Sequence, residues 1–396
     1  MAEKIRLCFQ VNNFCNLNCS YCYQCNKGHK QMDLCKAKYF IDKFFEKDEK
    51  YFKGYFQMPI EGIILDFIGG EATLSMEIVD GVTDYFYKKC IDRGLINWII
   101  NSDIWLESNG TTYFKPEVYR FIEKHSVKLD LPITLDGNKA LHDTCRKYHD
   151  GRGSYDDVEK AIKHYMANFN KVPNSKVTLS PENVSYLYDG IINFIKLGYL
   201  SVRCNCCMED VWDDLSQDEY YHQLIKIYDY IINERSTFSF SPMRDYVNKC
   251  NTASCGLYGS MLCLDYDGNL YNCFRYSDVS IANRKPLTLG TVDAGITNTE
   301  VLNKLRSRIN NAYDEQCKKC SIRSSCENCP AFNYQHTGSL TTNLKTNCRV
   351  THLEAKAFKY FQNRCLEEGF SHPMLNSKNE WNNDLFAQNN LSDIKK

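Results

Sequence analysis

Three cysteines near the start of the chain have the types and spacing for metal chemistry. Cys15, Cys19 and Cys22 are separated by three and two residues and follow an apolar run that predicts a β-strand. Such a short loop can wrap three sulfurs around three corners of a cubane iron–sulfur cluster, because cysteine thiolates hold clusters of this kind. The fourth iron then stays open for another ligand.

Other sites could use the same cysteines. A disulfide framework is disfavoured because the chain has 21 cysteines, an odd number, and no secretory signal. A structural zinc site needs four ligands, and three leave it one short. Cys25 offers the strongest alternative, since Cys19, Cys22 and Cys25 form the C-x-x-C-x-x-C run of bacterial ferredoxins, which hold closed electron-transfer clusters. No Cys-Pro follows at the spacing that completes such a run, so the open site is favoured.

Length and composition exclude some classes of function. With 396 residues the chain is long enough for two or three domains and an ample core. Its net charge of −1 argues against a nucleic-acid partner. No apolar run reaches membrane-spanning length, so we expect a cytoplasmic protein without a membrane partner. The cysteines concentrate at residues 15–25, 204–207, 250–273 and 317–348, which indicates metal chemistry.

The elements that must position the cysteine loop follow a regular order. From residue 4 to about residue 235, short apolar runs alternate with helical patterns, which is typical of a parallel sheet built from strand–helix units. We predict strands near residues 5–11, 62–68, 104–108, 129–135, 176–180 and 201–205, and helices near residues 34–47, 75–93, 115–125, 155–169, 183–197 and 217–234. These units predict an α/β fold, a partial (β/α)6 TIM-like barrel. In such barrels the chemistry gathers at the C-terminal ends of the strands, and the cysteine loop follows the first strand.

Polar motifs stand where the next three predicted strands end. The second strand ends in Gly69-Gly70-Glu71, whose glycines let the backbone approach a ligand and whose carboxylate can accept from an ammonium group. Ser108-Asn109-Gly110-Thr111 follows the third strand, and Thr134-Leu135-Asp136-Gly137 follows the fourth. Each motif alone is an ordinary turn. Together they place polar groups around the cysteine loop.

In this order the motifs resemble those of radical S-adenosylmethionine (SAM) enzymes. The resemblance implies that Cys15, Cys19 and Cys22 hold the SAM-binding cluster and that the Gly-Gly-Glu motif holds the SAM amino group. It also implies a carboxylate clamp by Arg146 and adenine packing by Tyr21. The SAM-contacting residues implied in this way are Tyr21, Gly69, Gly70, Glu71, Ser108, Asn109, Thr134 and Arg146. The stretch from His142 to Tyr155 looks like that of anaerobic sulfatase maturases and related peptide-modifying enzymes.

A second set of cysteines follows the barrel pattern. The run Cys255-x7-Cys263-x4-Gly268-x4-Cys273 predicts a β-hairpin with Asp267-Gly268 at its turn. The run Cys317-x2-Cys320-x5-Cys326-x2-Cys329 and a final Cys348 come after it. One zinc ribbon does not fit, because its two C-x-x-C pairs would lie roughly 15–20 residues apart. Eight cysteines match two four-thiolate clusters.

This cysteine order resembles the SPASM domain that follows the barrel in many peptide-modifying radical SAM enzymes. The resemblance implies three [4Fe–4S] clusters, one that binds SAM and two auxiliary ones. The auxiliary ligands would be Cys255, Cys263, Cys273 and Cys329 for one cluster, and Cys317, Cys320, Cys326 and Cys348 for the other. Cys326 and Cys329 enclose two residues where the SPASM pattern has three, which leaves the partition of ligands open.

The predicted organisation has three parts. We expect the barrel over residues 1–240, a cysteine-rich SPASM domain with a short β-hairpin and helices over residues 241–370, and a polar tail over residues 371–396. Because the barrel is predicted to begin at residue 4, we do not expect an N-terminal module that binds a leader peptide.

A further group of candidates stands at the end of the sixth predicted strand. Cys204, Cys206, Cys207 and Glu209 are expected to face the mouth of the barrel, where they are candidate catalytic residues. The thiols could relay hydrogen atoms or bind metal. Buried, inert thiols are an equally simple interpretation.

The resemblance also implies a reaction. Radical SAM enzymes cleave SAM to a 5'-deoxyadenosyl radical, and SPASM-bearing relatives act on peptides or proteins with electrons from a flavodoxin- or ferredoxin-type donor. Sulfatase maturases, which make formylglycine from Cys or Ser, carry an Asp directly after the hairpin cysteine as a base. Here Phe274-Arg275 follows Cys273, so Glu209 would have to replace that base.

We therefore predict an oxidoreductase that installs a thioether or carbon–carbon cross-link in a ribosomal peptide, a RiPP maturase. An anaerobic sulfatase maturase is the first alternative. A non-catalytic iron–sulfur electron-transfer protein is the second, and it predicts a chain that does not bind SAM.

Overall fold

Parallel strands alternate with helices through the first part of the chain, as the sequence predicts. The computed structural model describes residues 4–56, 60–243, 259–307, 315–322, 326, 329–342 and 344–375. Predicted Cys255 and the tail beyond residue 375 lie outside these residues. The strands are β1 Lys4–Gln10, β2 Gly62–Ile68, β3 Asp103–Leu106, β4 Leu129–Asp130, β5 Lys176–Leu179, β6 Ser201–Cys206, β7 Ser239–Phe240, β8 Met261–Leu264, β9 Asn269–Tyr271, β10 Gly290–Thr291 and β11 Gly295–Ile296.

Helices cover one face of the strands. They are α1 Leu34–Glu46, α2 Glu49–Phe52, α3 Met76–Asp92, α4 Ile96–Ile100, α5 Pro116–His125, α6 Lys139–Cys145, α7 Tyr155–Phe169, α8 Leu187–Lys196, α9 Asp214–Asn233, α10 Thr299–Ser307, α11 Glu315–Lys318, α12 Pro330–Thr337 and α13 Lys345–Glu367. No helix in the described part of the chain is both long and apolar enough to cross a membrane.

Two sets of parallel strands form one curved wall. In the larger sheet β8, β1, β2, β3 and β4 are parallel neighbours, and β5, β6 and β7 form the second set. Hydrogen bonds join the two sets: the amide of Ile133 donates to the Asn174 carbonyl at 3.0 Å, and the amide of Thr178 donates to the Asp136 carboxylate at 2.9 Å. The predicted partial barrel is the fold observed.

Alternation along the strands separates a helix-facing side from an interior side. On β1, the ring of Phe9 meets Phe40 of α1 edge-on, with centroids 6.0 Å apart. Arg6, on the other side of the same strand, lies 4.2 Å over the ring of Trp105 on β3. Gln10 shares the interior side with Arg6, because the two residues are an even number apart.

The C-terminal cysteine-rich region extends the barrel sheet. Strand β8 pairs in parallel with β1, so that Cys263 is the register partner of Cys8. Strand β9 returns antiparallel to β8, and Gly268 adopts a positive φ of 92° in the turn, as the predicted hairpin requires. Helix α13 packs on α9, where the Tyr220 hydroxyl donates to Glu354 at 2.9 Å. The sheet therefore crosses the predicted boundary near residue 240.

Strand β4 is shorter than predicted. The sequence predicted residues 129–135, whereas ladder pairing ends at Asp130. Pro132 has no amide hydrogen to continue the ladder. Beyond it a single parallel bridge joins Ile133 to Ser108, and the Leu135 amide donates to the Ser175 hydroxyl at 3.0 Å.

Candidate functional site

The three predicted cluster ligands lie on one anchored loop after β1. Cys15, Cys19 and Cys22 are half-buried. The amides of Asn18 and Ser20 donate to carbonyls of residues 147 and 145 at 2.7 and 3.1 Å, which fixes the loop to the segment after α6. This anchoring holds the thiols at the C-terminal edge of the parallel strands.

The chemistry of these thiols fits a shared metal cluster. Burial raises the pKa of Cys15 to about 11, helped by the nearby Glu71 carboxylate, and burial also raises the pKa of Cys19. Cys15 interacts electrostatically with Cys19, and Cys19 with Cys22, so the three thiols belong to one local cluster of ionisable groups. Three neighbouring, partly buried cysteines are poorly stabilised as free thiolates. A metal cluster stabilises the thiolates that coordinate it.

Cys25 interacts electrostatically with Cys22 but makes its hydrogen bond to the C-terminal region. Its side chain is exposed, and its thiol donates to the Val279 carbonyl at 3.7 Å. The C-x-x-C-x-x-C alternative needs Cys25 on the same cluster as Cys19 and Cys22. The observed contact with Val279 therefore favours the three-cysteine site.

The Gly-Gly-Glu motif fits tightly beside the loop. A Cβ atom at Gly69 would lie 2.3 Å from the Asn12 Oδ1 atom, and one at Gly70 would lie 2.2 Å from the Phe14 carbonyl oxygen. Only glycine avoids these overlaps. The sequence did not single out Asn12, which accepts from the Gly70 amide at 3.0 Å and donates to the Glu71 carbonyl at 2.9 Å.

Glu71 is buried and satisfied by neighbouring donors. Its carboxylate accepts from the Thr73 hydroxyl at 2.5 Å, the Thr73 amide at 3.3 Å and the Asn109 amide at 2.8 Å. Burial raises the pKa of Glu71, and the bonds from Thr73 and Asn109 oppose that rise. The Ser108 side chain is a further donor to this carboxylate, so its roughly four acceptor sites already have protein partners.

Ser108 and Asn109 connect the third strand to the cysteine loop. The Asn109 side-chain amide donates to Asn16 at 2.9 Å and lies 3.7 Å from the Cys15 sulfur. The Ser108 hydroxyl accepts from the Gly110 amide at 3.0 Å, and the Ser108 carbonyl accepts from the Thr134 amide at 3.0 Å. The predicted polar residues on β3 and β4 thus meet at the same edge.

Tyr21, Asp136 and Arg146 form a buried polar chain on the other side of the loop. The Tyr21 hydroxyl donates to the Asp136 carboxylate and accepts from Arg146 at 3.1 Å. Burial raises the pKa of Asp136, and the Arg146 cation opposes that rise. The Nε atom of Arg146 is buried without a hydrogen-bond partner among the described residues, which leaves it free to bind an anion. The Thr-Leu-Asp-Gly pattern was the only sequence signal for Asp136.

We call these residues the rim: Tyr21, Gly69, Gly70, Glu71, Ser108, Asn109, Asp136 and Arg146. The half-buried Thr134 stands beside them. The structure thus brings together every SAM-contacting residue that the resemblance implied.

Charged side chains line the interior below the rim. Lys176 on β5 and Arg203 on β6 are register partners, and both keep access to solvent. Neither side chain forms an ion pair or hydrogen bond with another residue that the structure describes. Desolvation by the surrounding walls lowers the pKa of Lys176, and the carboxylate of Glu107 opposes that effect. We call Gln10, Glu107, Lys176 and Arg203 the interior group.

The candidate catalytic residues at the end of β6 separate into two groups. Cys204 and Cys206 alternate with Arg203 and therefore face the helices, where Cys206 lies near Tyr220 of α9. Their side chains therefore do not point into the mouth of the barrel, although Cys206 is the last residue of β6. We therefore leave both thiols out of the site.

Cys207 and Glu209 do reach the site. The Cys207 thiol lies 3.4 Å from the Glu209 carboxylate and 3.8 Å from the Tyr21 carbonyl oxygen. Glu209 accepts from Arg275 at 2.8 Å, and the Arg275 guanidinium stacks over Tyr23 at 4.3 Å. This chain of contacts connects the cysteine loop to the C-terminal region.

The structure describes all of the predicted auxiliary ligands except Cys255. Cys273 and Cys329 lie near the stacked Tyr23 and Arg275, with which they interact electrostatically. The Cys320 amide donates to the Cys317 carbonyl at 3.1 Å, and the Cys320 sulfur lies 3.8 Å from His352. Cys326 and Cys348 are half-buried.

Cys263 lies on the interior side of β8. It hydrogen-bonds with Cys8, which the sequence analysis did not single out.

Sequence comparisons find related proteins, although no family model matches the chain. A cysteine-type anaerobic sulfatase-maturating enzyme of Clostridium novyi is 25% identical over 345 residues, which cover 79% of this chain and 84% of that protein. An uncharacterized protein of Methanocaldococcus jannaschii is 27% identical over 199 residues; the match covers 50% of this chain and 60% of that protein.

Solved structures share the fold. The structure described as native anSMEcpe with bound AdoMet and Kp18Cys peptide has a TM-score of 0.67 and 16% identity, and the match covers 92% of this chain and 99% of that one. Streptococcus suis SuiB with bound S-adenosylmethionine has a TM-score of 0.57 and 12% identity, with 88% and 77% covered. The partial barrel predicted from the strand–helix alternation is therefore confirmed. The resemblance indicated by the cysteine pattern is confirmed by the related sequences.

Proposed function

We propose that this chain, a relative of the radical SAM maturases, is an enzyme that modifies a peptide or protein through radical chemistry. A SAM-binding [4Fe–4S] cluster is assigned to Cys15, Cys19 and Cys22, and two auxiliary clusters are assigned to the C-terminal cysteines. With an electron from a flavodoxin- or ferredoxin-type donor, the bound SAM and cluster supply a radical that removes a hydrogen atom from carbon. The product is a thioether or carbon–carbon cross-link in a ribosomal peptide.

One observation carries the proposal: three thiols meet a carboxylate and a guanidinium at one edge of the sheet. The Glu71 carboxylate suits an ammonium group by its charge, and the unpartnered Nε of Arg146 suits a carboxylate. SAM carries both groups on its amino-acid end. The partly buried Tyr21–Asp136 hydrogen bond supports Arg146, which donates to the Tyr21 hydroxyl.

The reaction balances without an added oxidant beyond the proposed clusters. A thioether requires the loss of one C–H and one S–H hydrogen. The first leaves as a hydrogen atom on 5'-deoxyadenosine, and the second leaves as a proton and an electron. The auxiliary clusters are assigned as acceptors of that electron.

The residues after Cys273 support a cross-link over formylglycine. Formylglycine formation requires a base for the substrate thiol or hydroxyl. Burial favours the protonated form of Glu209, but the Arg275 cation outweighs it and lowers the pKa of Glu209. A carboxylate held in that ion pair is a weak base. Forming a carbon–carbon bond does not require a substrate thiol or hydroxyl to ionise, although its second hydrogen still leaves as a proton and an electron, so it is the cross-link that this site suits best.

The relative from Clostridium novyi favours a second candidate, a sulfatase maturase. In that case Glu209 would have to leave Arg275 when substrate binds. The two candidates differ in product and can therefore be separated directly.

Reduced, cluster-reconstituted protein should be incubated with SAM and two kinds of peptide: short cysteine-containing peptides encoded beside its gene, and the Kp18Cys peptide. We expect a neighbouring peptide to lose two hydrogen atoms per bond, with 5'-deoxyadenosine formed alongside, in mass spectra. Formylglycine on Kp18Cys would instead establish the sulfatase-maturase activity. Consumption of SAM with every peptide unchanged would refute both candidates.

A further inference from the structure

Gln10 is a buried amide that the fold leaves without hydrogen bonds. Its side chain is 1% exposed, and neither Nε2 nor Oε1 has a hydrogen-bond partner among the residues that the structure describes. Buried polar side chains almost always find partners, because an unpaired buried donor or acceptor destabilises the fold. An amide with both ends unpaired therefore indicates a ligand that supplies both a donor and an acceptor.

The position of Gln10 places this amide below the rim. Gln10 is the last residue of β1 and the register partner of Ile68, which directly precedes Gly69. Phe9 packs against α1, so Gln10 points to the interior side together with Arg6. The amide thus faces the barrel interior at the level of Ile68, one residue before Gly69 of the rim, where SAM is proposed to bind.

The chemistry of the amide selects the kind of ligand. A primary amide offers N–H donors and a carbonyl acceptor, which match the carbonyl and the N–H of a peptide bond. The charged groups of SAM have Glu71 and Arg146 as partners, and both lie on loops beyond the strand ends. Lys176 and Arg203, across the interior, suit charged side chains rather than a neutral backbone.

We propose that Gln10 binds the main chain of the peptide substrate beside the residue to be modified. This inference rests on the proposed function and deepens it, because the site then recognises a peptide backbone rather than a particular side chain. Gln10 is a positioning residue: it holds the peptide so that the reacting carbon faces the rim.

The test compares two glutamines in the full-length, cluster-reconstituted, SAM-bound enzyme. Gln10→Leu removes an unpaired amide, so we expect a rise in Tm of about 2 °C or more. Gln24 is the matched control: it is also buried, but its amide donates to the Gly69 carbonyl at 2.9 Å. We expect Gln24→Leu to lower the Tm. Gln10→Met serves as a second, unbranched variant if leucine packs poorly beside Ile68.

Binding measurements complete the test. For the peptide that the wild-type enzyme modifies, we expect Gln10→Leu to weaken affinity by about 10-fold, while SAM affinity is unchanged. A lower Tm for both Gln10 variants, an unchanged peptide affinity, or a loss of SAM affinity would each overturn the inference and leave the proposed function standing. A wild-type enzyme that modifies no peptide overturns the proposed function and, with it, the assigned ligand.

Discussion

The rim and the interior of the barrel are built in opposite ways. On the rim, Glu71 accepts a hydrogen bond from Asn109, and Asp136 accepts from Tyr21 and Thr178, before any ligand is present. In the interior, Gln10 has no hydrogen bond, and Lys176 and Arg203 form no ion pair with the residues that the structure describes. A preformed rim suits a ligand that is always the same, whereas unpaired interior groups suit a partner that arrives and leaves.

The largest expected effect comes from a substitution in the cysteine loop. Cys19→Ala should abolish cluster binding and SAM cleavage, because two thiolates cannot hold the cluster in an open three-ligand geometry. Iron content and 5'-deoxyadenosine yield measure both effects. Cys25→Ala is the matched control and should retain both, since Cys25 contacts Val279 instead. Equal losses in the two variants would contradict the three-cysteine site.

Arg146 tests whether the rim is preformed for SAM. Arg146→Lys keeps the charge but loses the planar fork that pairs with a carboxylate in two bonds. We expect SAM affinity to fall by about 30-fold, the value of one strong charge-assisted contact. Equilibrium binding of SAM to the reconstituted protein measures the change. An affinity within twofold of wild type would exclude Arg146 from the SAM site.

The rim residues could be predicted from the sequence, because the turn geometry of a short motif is determined by the residues of the motif itself. Gly69 and Gly70 are needed where Asn12 and Phe14 approach, and the observed β2 and α7 have the bounds that the sequence predicted. Interior contacts depend on which face a residue occupies and on which strands are neighbours. Local sequence patterns therefore placed Cys206 at the mouth of the barrel, whereas it faces α9. They gave no signal for Gln10.

Asp66 gives a test of the interior through the pH dependence of stability. Burial, with a smaller effect of Glu107, raises the pKa of Asp66 to about 7. An Asp in the unfolded chain ionises near pH 4, at about 3.9, so the folded state loses stability as pH rises from there through 7.

The wild type should therefore lose about 2 kcal/mol of unfolding free energy between about pH 5.5 and 7.5 that Asp66→Asn does not lose. Denaturant unfolding at the two pH values measures the difference. Parallel pH profiles for the two proteins would show that Asp66 is ionised throughout.

Lys176 tests whether the interior binds the peptide. Lys176→Gln removes one of two neighbouring cations that form no ion pair with the described residues, and we expect about fivefold weaker binding of an acidic peptide substrate. SAM affinity should stay the same. We expect the peptide affinity of the wild type to depend more strongly on salt concentration than that of the variant, because the variant has lost one charge. Tighter peptide binding by the variant would show that the two cations repel the substrate.

The most direct test of the open iron site is the electron paramagnetic resonance spectrum of the reduced protein with and without SAM. In wild type and in Cys25→Ala, adding SAM should change the spectrum of the cluster on Cys15, Cys19 and Cys22. An identical spectrum before and after SAM, in a protein with full iron content, would contradict the open site.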